Sequence, residues 1–193
     1  MKLRITVVLA AGVVFALAWK AADIPKPAAA PPAVFVNDSL AIPVVGIQST
    51  QLRDNFGDAR SGHTHGALDI MAARGTPVVA AVDGNIRKLF TSRAGGLTIY
   101  EFDRAGTMSY YYAHLDHYAA GLREGNEVKR GDVIGYVGST GNAPANAPHL
   151  HFAISILPPT KEWWKGTAID PYPILMSRGL TAEEVTPSAS SRR

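Results

Sequence analysis

Apolar and polar positions alternate in short runs broken by glycine, a pattern that predicts strands over most of the chain. Residues 76–82 are apolar and β-branched and end at the turn signal Asp83-Gly84; residues 85–90 read as the returning strand. Residues 97–102 and 108–114 predict two more strands, joined by a turn around Arg104-Ala105-Gly106. A turn at 127–132 precedes a strand at 133–137, and 150–156 is the last clear strand. A helix is predicted only at 181–185, with Thr181 as N-cap and Glu184 three residues on. The fold class expected is mainly β: a single antiparallel β-sheet domain with long loops.

The ends of the chain follow other rules. Lys2 and Arg4 precede an uncharged, mostly aliphatic run at 5–19, the n-region and h-region of an export signal. Ala16-Leu17-Ala18 supplies the small residues of a cleavage site. The run is shorter than the ~20 residues of a spanning helix, so residues 1–22 are expected to be a signal peptide or, if uncleaved, an N-terminal membrane anchor. Residues 23–37 contain "IPKPAAAPPA", an extended Pro/Ala linker. The folded domain is expected at 38–180 and a polar tail at 181–193.

Composition narrows the chemistry. The 193 residues include 18 glycines, 13 prolines and no cysteine, so disulfides and thiolate metal sites are excluded. Any metal must be held by His, Asp or Glu. The net charge of +3, without a dense basic run or an aromatic RNA-binding motif, does not suggest a nucleic-acid partner.

Six histidines remain: His63, His65, His114, His117, His149 and His151. In "PHLHFAIS" alternate side chains share a face, so His149 and His151 point the same way, roughly 6.7 Å apart along a strand. Leu150, Phe152, Ile154 and Ile156 point the other way as core. In "HGALD" an extended chain would hold His65 and Asp69 ~13 Å apart; Gly66 permits the bend that joins them. In "YYYAHLD" strand alternation places Tyr110, Tyr112 and His114 on one face and Tyr111 and Ala113 on the other. His63 and His117 lack partners at diagnostic spacing and read as surface or rim residues.

Two histidines and one carboxylate form a catalytic zinc ligand set that leaves a position for water. Zinc lowers the pKa of that water and polarises a carbonyl. H-E-x-x-H is absent, so no neighbouring glutamate offers itself as base; spare histidines are the substitutes. Spacing alone does not decide which of His149 and His151 is the ligand.

Taken in order, "FGDARSGHTHGALDI", "GTPVVAAVDGNI", "GGLTIYEF", "YYYAHLD", "GNEVKRGDVIGYVGSTGNA", "PHLHFAI" and "DPYPIL" resemble the lysostaphin/LytM-type zinc endopeptidases over roughly residues 42–175. The resemblance implies a sheet whose long loops form an active-site groove, with zinc as cofactor on His65, Asp69 and His151. It implies His149 as general base for the zinc-bound water and His114 as oxyanion stabiliser or proton-transfer partner. The implied substrate is the peptide stems and cross-links of peptidoglycan. The signal and tether suit a periplasmic enzyme, anchored or free, or a secreted one. Tyr110 and Tyr112 are candidates for the groove, at least one of them for packing instead. Trp163 and Trp164, in "LPPTKEWWKGTAI", are candidates for a cleft wall or a clamp on the domain edge.

Three rival readings compete. Some LytM-type modules do no chemistry and activate cell-wall amidases, but all five site positions are filled here. The glycine-rich hairpins also resemble biotinyl/lipoyl carriers, yet neither Lys88 nor Lys129 has a carrier's Met-Lys-Met-like setting. A general protease is the third.

Overall fold

A computed structural model describes residues 35–36, 40–60 and 62–176. The expected signal or anchor, nearly all of the linker, and the tail with its helix lie outside them. In chain order the strands are β1 (Phe35–Val36), β2 (Leu40–Ala41), β3 (Ala59–Arg60), β4 (His63–Thr64), β5 (Leu68–Met71), β6 (Pro77–Val79), β7 (Gly84–Ser92), β8 (Gly96–Asp103), β9 (Met108–Tyr118), β10 (Glu127–Val128), β11 (Val133–Val137), β12 (His149–Ile156) and β13 (Thr167–Ile169). One α-helix, α1 (Pro171–Met176), closes the described domain. Nine strands form one antiparallel sheet, with β1–β2 and β3–β4 as small separate pairs. The expected fold class is the one found.

The sheet runs β10-β7-β8-β9 and then forks. The first half of β9 pairs with β12 (Ala113 opposite His151), and its second half pairs with β11 (Leu115 opposite Val137). The fork falls at His114. Between β8 and β9 the register also slips there, from Ile99 opposite Tyr112 to Leu97 opposite Leu115. His114 occupies the extra position with φ 61°, in the left-handed region. Such a bulge bends a strand and re-aims a side chain.

One face of the sheet carries the core. Ile86, Ile99, Tyr112, Leu150, Phe152 and Ile154 are buried with Leu40, Ile42 and Val44 of the N-terminal segment and Leu175 of α1. Each such aliphatic or phenyl side chain contributes about 1.5–3 kcal/mol by leaving water. Ile156 departs from the expectation: the strand alternation puts it toward the core, but it is the last residue of β12 and is 50% exposed.

The strand expected at 76–82 is shorter, because its second half bonds elsewhere. Ala80 N–H donates to Asp132 O, and Ala81 N–H is taken by the Tyr112 hydroxyl (2.8 Å) and the Glu101 carboxyl (3.2 Å). Helix α1 was not expected from the sequence. Its signal is present in "DPYPIL": Asp170 Oδ1 accepts the Tyr172 N–H at 2.9 Å, and Pro171 sits at the first helical position.

Candidate metal centre

Antiparallel pairing of β12 with β5 puts His151 opposite Asp69, so both side chains rise from the same face. His65 arrives from the preceding turn. Gly66 adopts φ 67°, the left-handed conformation that glycine takes without penalty. His65 N–H donates to Asp58 O, and Gly66 N–H to Phe56 O. The bend expected at Gly66 is thus what joins His65 to Asp69.

Three side-chain atoms converge. His65 Nε2 lies 3.0 Å from Asp69 Oδ1 and 3.0 Å from His151 Nδ1, and His151 Nδ1 lies 3.1 Å from Asp69 Oδ1. His65 Nδ1 donates to Asn55 O at 2.9 Å, since a carbonyl can only accept, which in the neutral ring leaves its Nε2 as a lone pair. A proton on His151 Nδ1 can satisfy one of its two neighbours but not the contact between His65 Nε2 and Asp69 Oδ1. Lone pairs brought this close call for a cation at their centre. A tetrahedral zinc ion with bonds of about 2.0–2.1 Å holds its ligand atoms about 3.3 Å apart, so the triad fits after a small expansion. Two nitrogens and one carboxylate oxygen suit zinc by donor type.

Asp69 is prepared for this role. Burial alone would raise its pKa, but the hydrogen bond from His151 and the charges of His151, His65 and His149 outweigh burial and hold it down to about 2. Its second oxygen, Oδ2, pairs with Arg60 Nη2 at 2.9 Å. Asn55 ties the ligands together, with its carbonyl on the His65 ring and its Oδ1 on the Asp69 N–H at 3.1 Å. Neither Arg60 nor Asn55 was singled out from sequence as a site residue. The Arg of "FGDAR" was the available signal for Arg60; nothing local marks Asn55.

His149 and His114 stand beside the triad, both buried. Their rings are 4.9 Å apart, and His114 is 5.6 Å from the His151 ring. His149 Nδ1 donates to Ala147 O at 2.8 Å, and His114 Nδ1 to Thr140 O at 2.8 Å. In the neutral form each therefore presents Nε2 as an acceptor; the Nε2 of His149 is 3.7 Å from Asp69 Oδ1. Burial pushes the His114 pKa down to about 4 against the opposing bond to Thr140, and the neighbouring histidines add to the depression. The carbonyl of Thr140 reaches His114 because the loop after β11 packs backbone to backbone on residues 94–96. A Cβ on Gly141 would stand 2.3 Å from Ala94 O.

The five residues expected at the site line one cleft of about 640 Å³. The tyrosines require a correction. Tyr112 is fully buried and bonds Glu101, and Tyr110 is buried too, whereas Tyr111 and Ala113 line the cleft. Simple alternation put His114 on the face of Tyr110 and Tyr112; the bulge turns it to the face of Tyr111. His63 lies on the rim. His117 is exposed, bonded to Asp116 and stacked on Tyr136.

Residues 63–171 match the model of Peptidase family M23. The chain is 36% identical over 131 residues to the L-Ala--D-Glu endopeptidase of Bacillus subtilis, covering 64% of this chain and 39% of that protein. It is 35% identical over 129 residues to the glycyl-glycine endopeptidase ALE-1 of Staphylococcus capitis, covering 66% and 33%. Among solved structures, the catalytic domain of lysostaphin from Staphylococcus simulans is similar with a TM-score of 0.54 and 33% identity, over 64% of this chain and 90% of that one. The chain thus spans well under half the length of these two curated relatives and nearly all of the isolated catalytic domain.

Proposed function

The chain belongs to peptidase family M23, and from that premise we propose that it is a zinc-dependent endopeptidase hydrolysing peptide cross-links of peptidoglycan outside the cytoplasm. The observation that carries the reading is the convergence of three ligand atoms within about 3 Å of one another, beside two buried histidines whose free Nε2 atoms share the cleft. His65, Asp69 and His151 hold the zinc. When bound, zinc supplies Lewis acidity, which acidifies water and polarises a carbonyl.

The protein's own groups do the rest. His149 Nε2, oriented by the bond from Nδ1 to Ala147, takes a proton from the attacking water as its oxygen bonds the amide carbon. The C–N bond then breaks, and the same proton passes to the departing amine. Neutral His114 also presents a lone pair, so it stabilises the oxyanion only after taking a proton; until then it is a second acceptor in the proton path. This refines the role implied by the family resemblance, in which His114 either donates to the oxyanion or assists proton transfer. The named relatives cut different bonds, L-Ala–D-Glu and glycyl-glycine. For this chain we favour a D-Ala to diaminopimelate cross-link, because the signal and tether suit the periplasm.

The test is a digest of purified peptidoglycan by the zinc-loaded chain, read by mass spectrometry, with His149→Ala as control. Conversion of cross-linked fragments to monomers by the wild type alone supports the proposal and names the bond. No cleavage with one zinc bound per chain would overturn the assignment as a peptidase of this wall.

A further inference from the structure

A row of aromatic rings leaves the metal centre along the cleft side of the sheet. Tyr111 meets the His151 ring edge-on at 6.0 Å. Tyr100, its partner across β8 and β9, lies 4.6 Å from Tyr111. Trp163 follows at 4.8 Å from Tyr100 and 5.3 Å from Phe90, and Trp164 at 5.2 Å from Trp163. On β12 the residue opposite Tyr111 is Ala153, which carries only a methyl group.

The loop that brings in the tryptophans is built rather than loose. Leu157 N–H donates to Thr107 O, and two turns close through Lys161 N–H to Pro158 O and Lys165 N–H to Glu162 O. The Glu162 carboxylate accepts from Thr160 and Lys165. Lys161 is held at φ 50°, a left-handed conformation that is disfavoured for residues other than glycine. Strain of this kind marks a segment whose shape is maintained by its surroundings. The result is exposed aromatic surface: Trp164 of the loop is 57% and Phe90 of β7 41% accessible, both packed against Trp163. The core lies on the opposite face of the sheet and gains nothing from Trp164.

We propose that this row is a saccharide subsite, holding a sugar of the glycan strand whose peptide stem lies in the metal cleft. The proposal rests on the peptidase reading above. Chemistry favours the sugar: a pyranose ring presents a face of C–H groups that packs on indole and phenol faces. A stem peptide is rich in amides and carboxylates, and the two lysines of this loop are already engaged, Lys165 by Glu162 and Lys161 by Ala105 O. The row also runs unbroken into the cleft, as a subsite for a covalently attached part of the substrate must.

The experiment compares the full chain with Trp164→Ala and Trp164→Phe, all zinc-loaded. The probes are peptide-free glycan strands, anionic phospholipid vesicles, and a cross-linked peptide dimer with and without its sugars. Glycan strands should bind the wild type and bind Trp164→Ala about tenfold more weakly, with recovery in Trp164→Phe. KM for the sugar-bearing dimer should rise by a similar factor in Trp164→Ala, while the sugar-free dimer is cut as before. Equal affinity of wild type and Trp164→Ala for glycan strands, or binding to vesicles alone, overturns the subsite. If no variant cuts either dimer, the peptidase reading has failed, and the glycan-strand affinities still decide the subsite.

Discussion

Arg60 and Asp69 form an ion pair in which Nη2 lies 2.9 Å from Oδ2, while Oδ1 of the same carboxylate faces His65 at 3.0 Å and His151 at 3.1 Å. One oxygen is reserved for the metal and the other is held from outside. Arg60 is 41% exposed, so its value lies in orientation rather than in the strength of an isolated surface ion pair.

Arg60→Ala should therefore weaken zinc binding by about 10- to 100-fold, the range for partners that orient a ligand. Arg60→Lys should fall in between, since it restores charge without the planar fork. Competition with a chromophoric chelator measures both. Unchanged affinity in Arg60→Ala would show that Asp69 is oriented by β5 alone.

His151→Ala removes a ligand and His149→Ala removes a neighbour. The first should lose zinc and hydrolysis together. The second should keep one zinc per chain and lose about 10²- to 10⁴-fold in rate, the scale of a general base. Metal content by elemental analysis beside the rate separates them. Full activity in either variant would sink the role assigned to it.

Glu101 is buried without exposure, with Oε2 bonded by Tyr112 and Ala81 N–H, and Oε1 has no partner. Burial raises its pKa from 4.5 to about 8, against the opposing hydrogen bonds. The folded state thus holds a proton that the unfolded chain releases near 4.5. This contribution to stability is fully present below pH 4.5 and is lost as pH rises toward and through about 8. Denaturation midpoints at pH 6 and pH 9 should fall with pH in the wild type and change less in Glu101→Gln. Equal slopes in the two proteins would refute the assignment.

Gly141 has φ 75° and no room for a Cβ against Ala94 O. Gly141→Ala should destabilise by about 1–3 kcal/mol and displace the Thr140 carbonyl from His114. A lower melting temperature together with a reduced rate, zinc affinity being kept, is the expected result. A melting temperature within a degree of wild type would show that the loop and residues 94–96 separate easily.

The sequence by itself determined the elements and the inventory. Glycine-bounded β-branched runs marked most of the sheet, period-two alternation placed His149 and His151 on one face with Leu150, Phe152 and Ile154 on the other, and Gly66 marked the bend that closes His65 on Asp69. These are local rules, set by φ/ψ preferences and side-chain direction over a few residues. Tertiary structure decided what depends on pairing between distant segments. Opposing His151 to Asp69 requires the β5–β12 register, and turning His114 beside Tyr111 requires a bulge where β9 changes partner from β12 to β11. Tyr112, just before the bulge, keeps the inward face it shares with Tyr110 and reaches Glu101. Asn55 and the carbonyl of Thr140 serve the site from loops, and Arg60 from the two-residue strand β3, none of them with a periodicity to read. Backbone carbonyls choose the histidine tautomers, and no side-chain pattern encodes where a carbonyl will point.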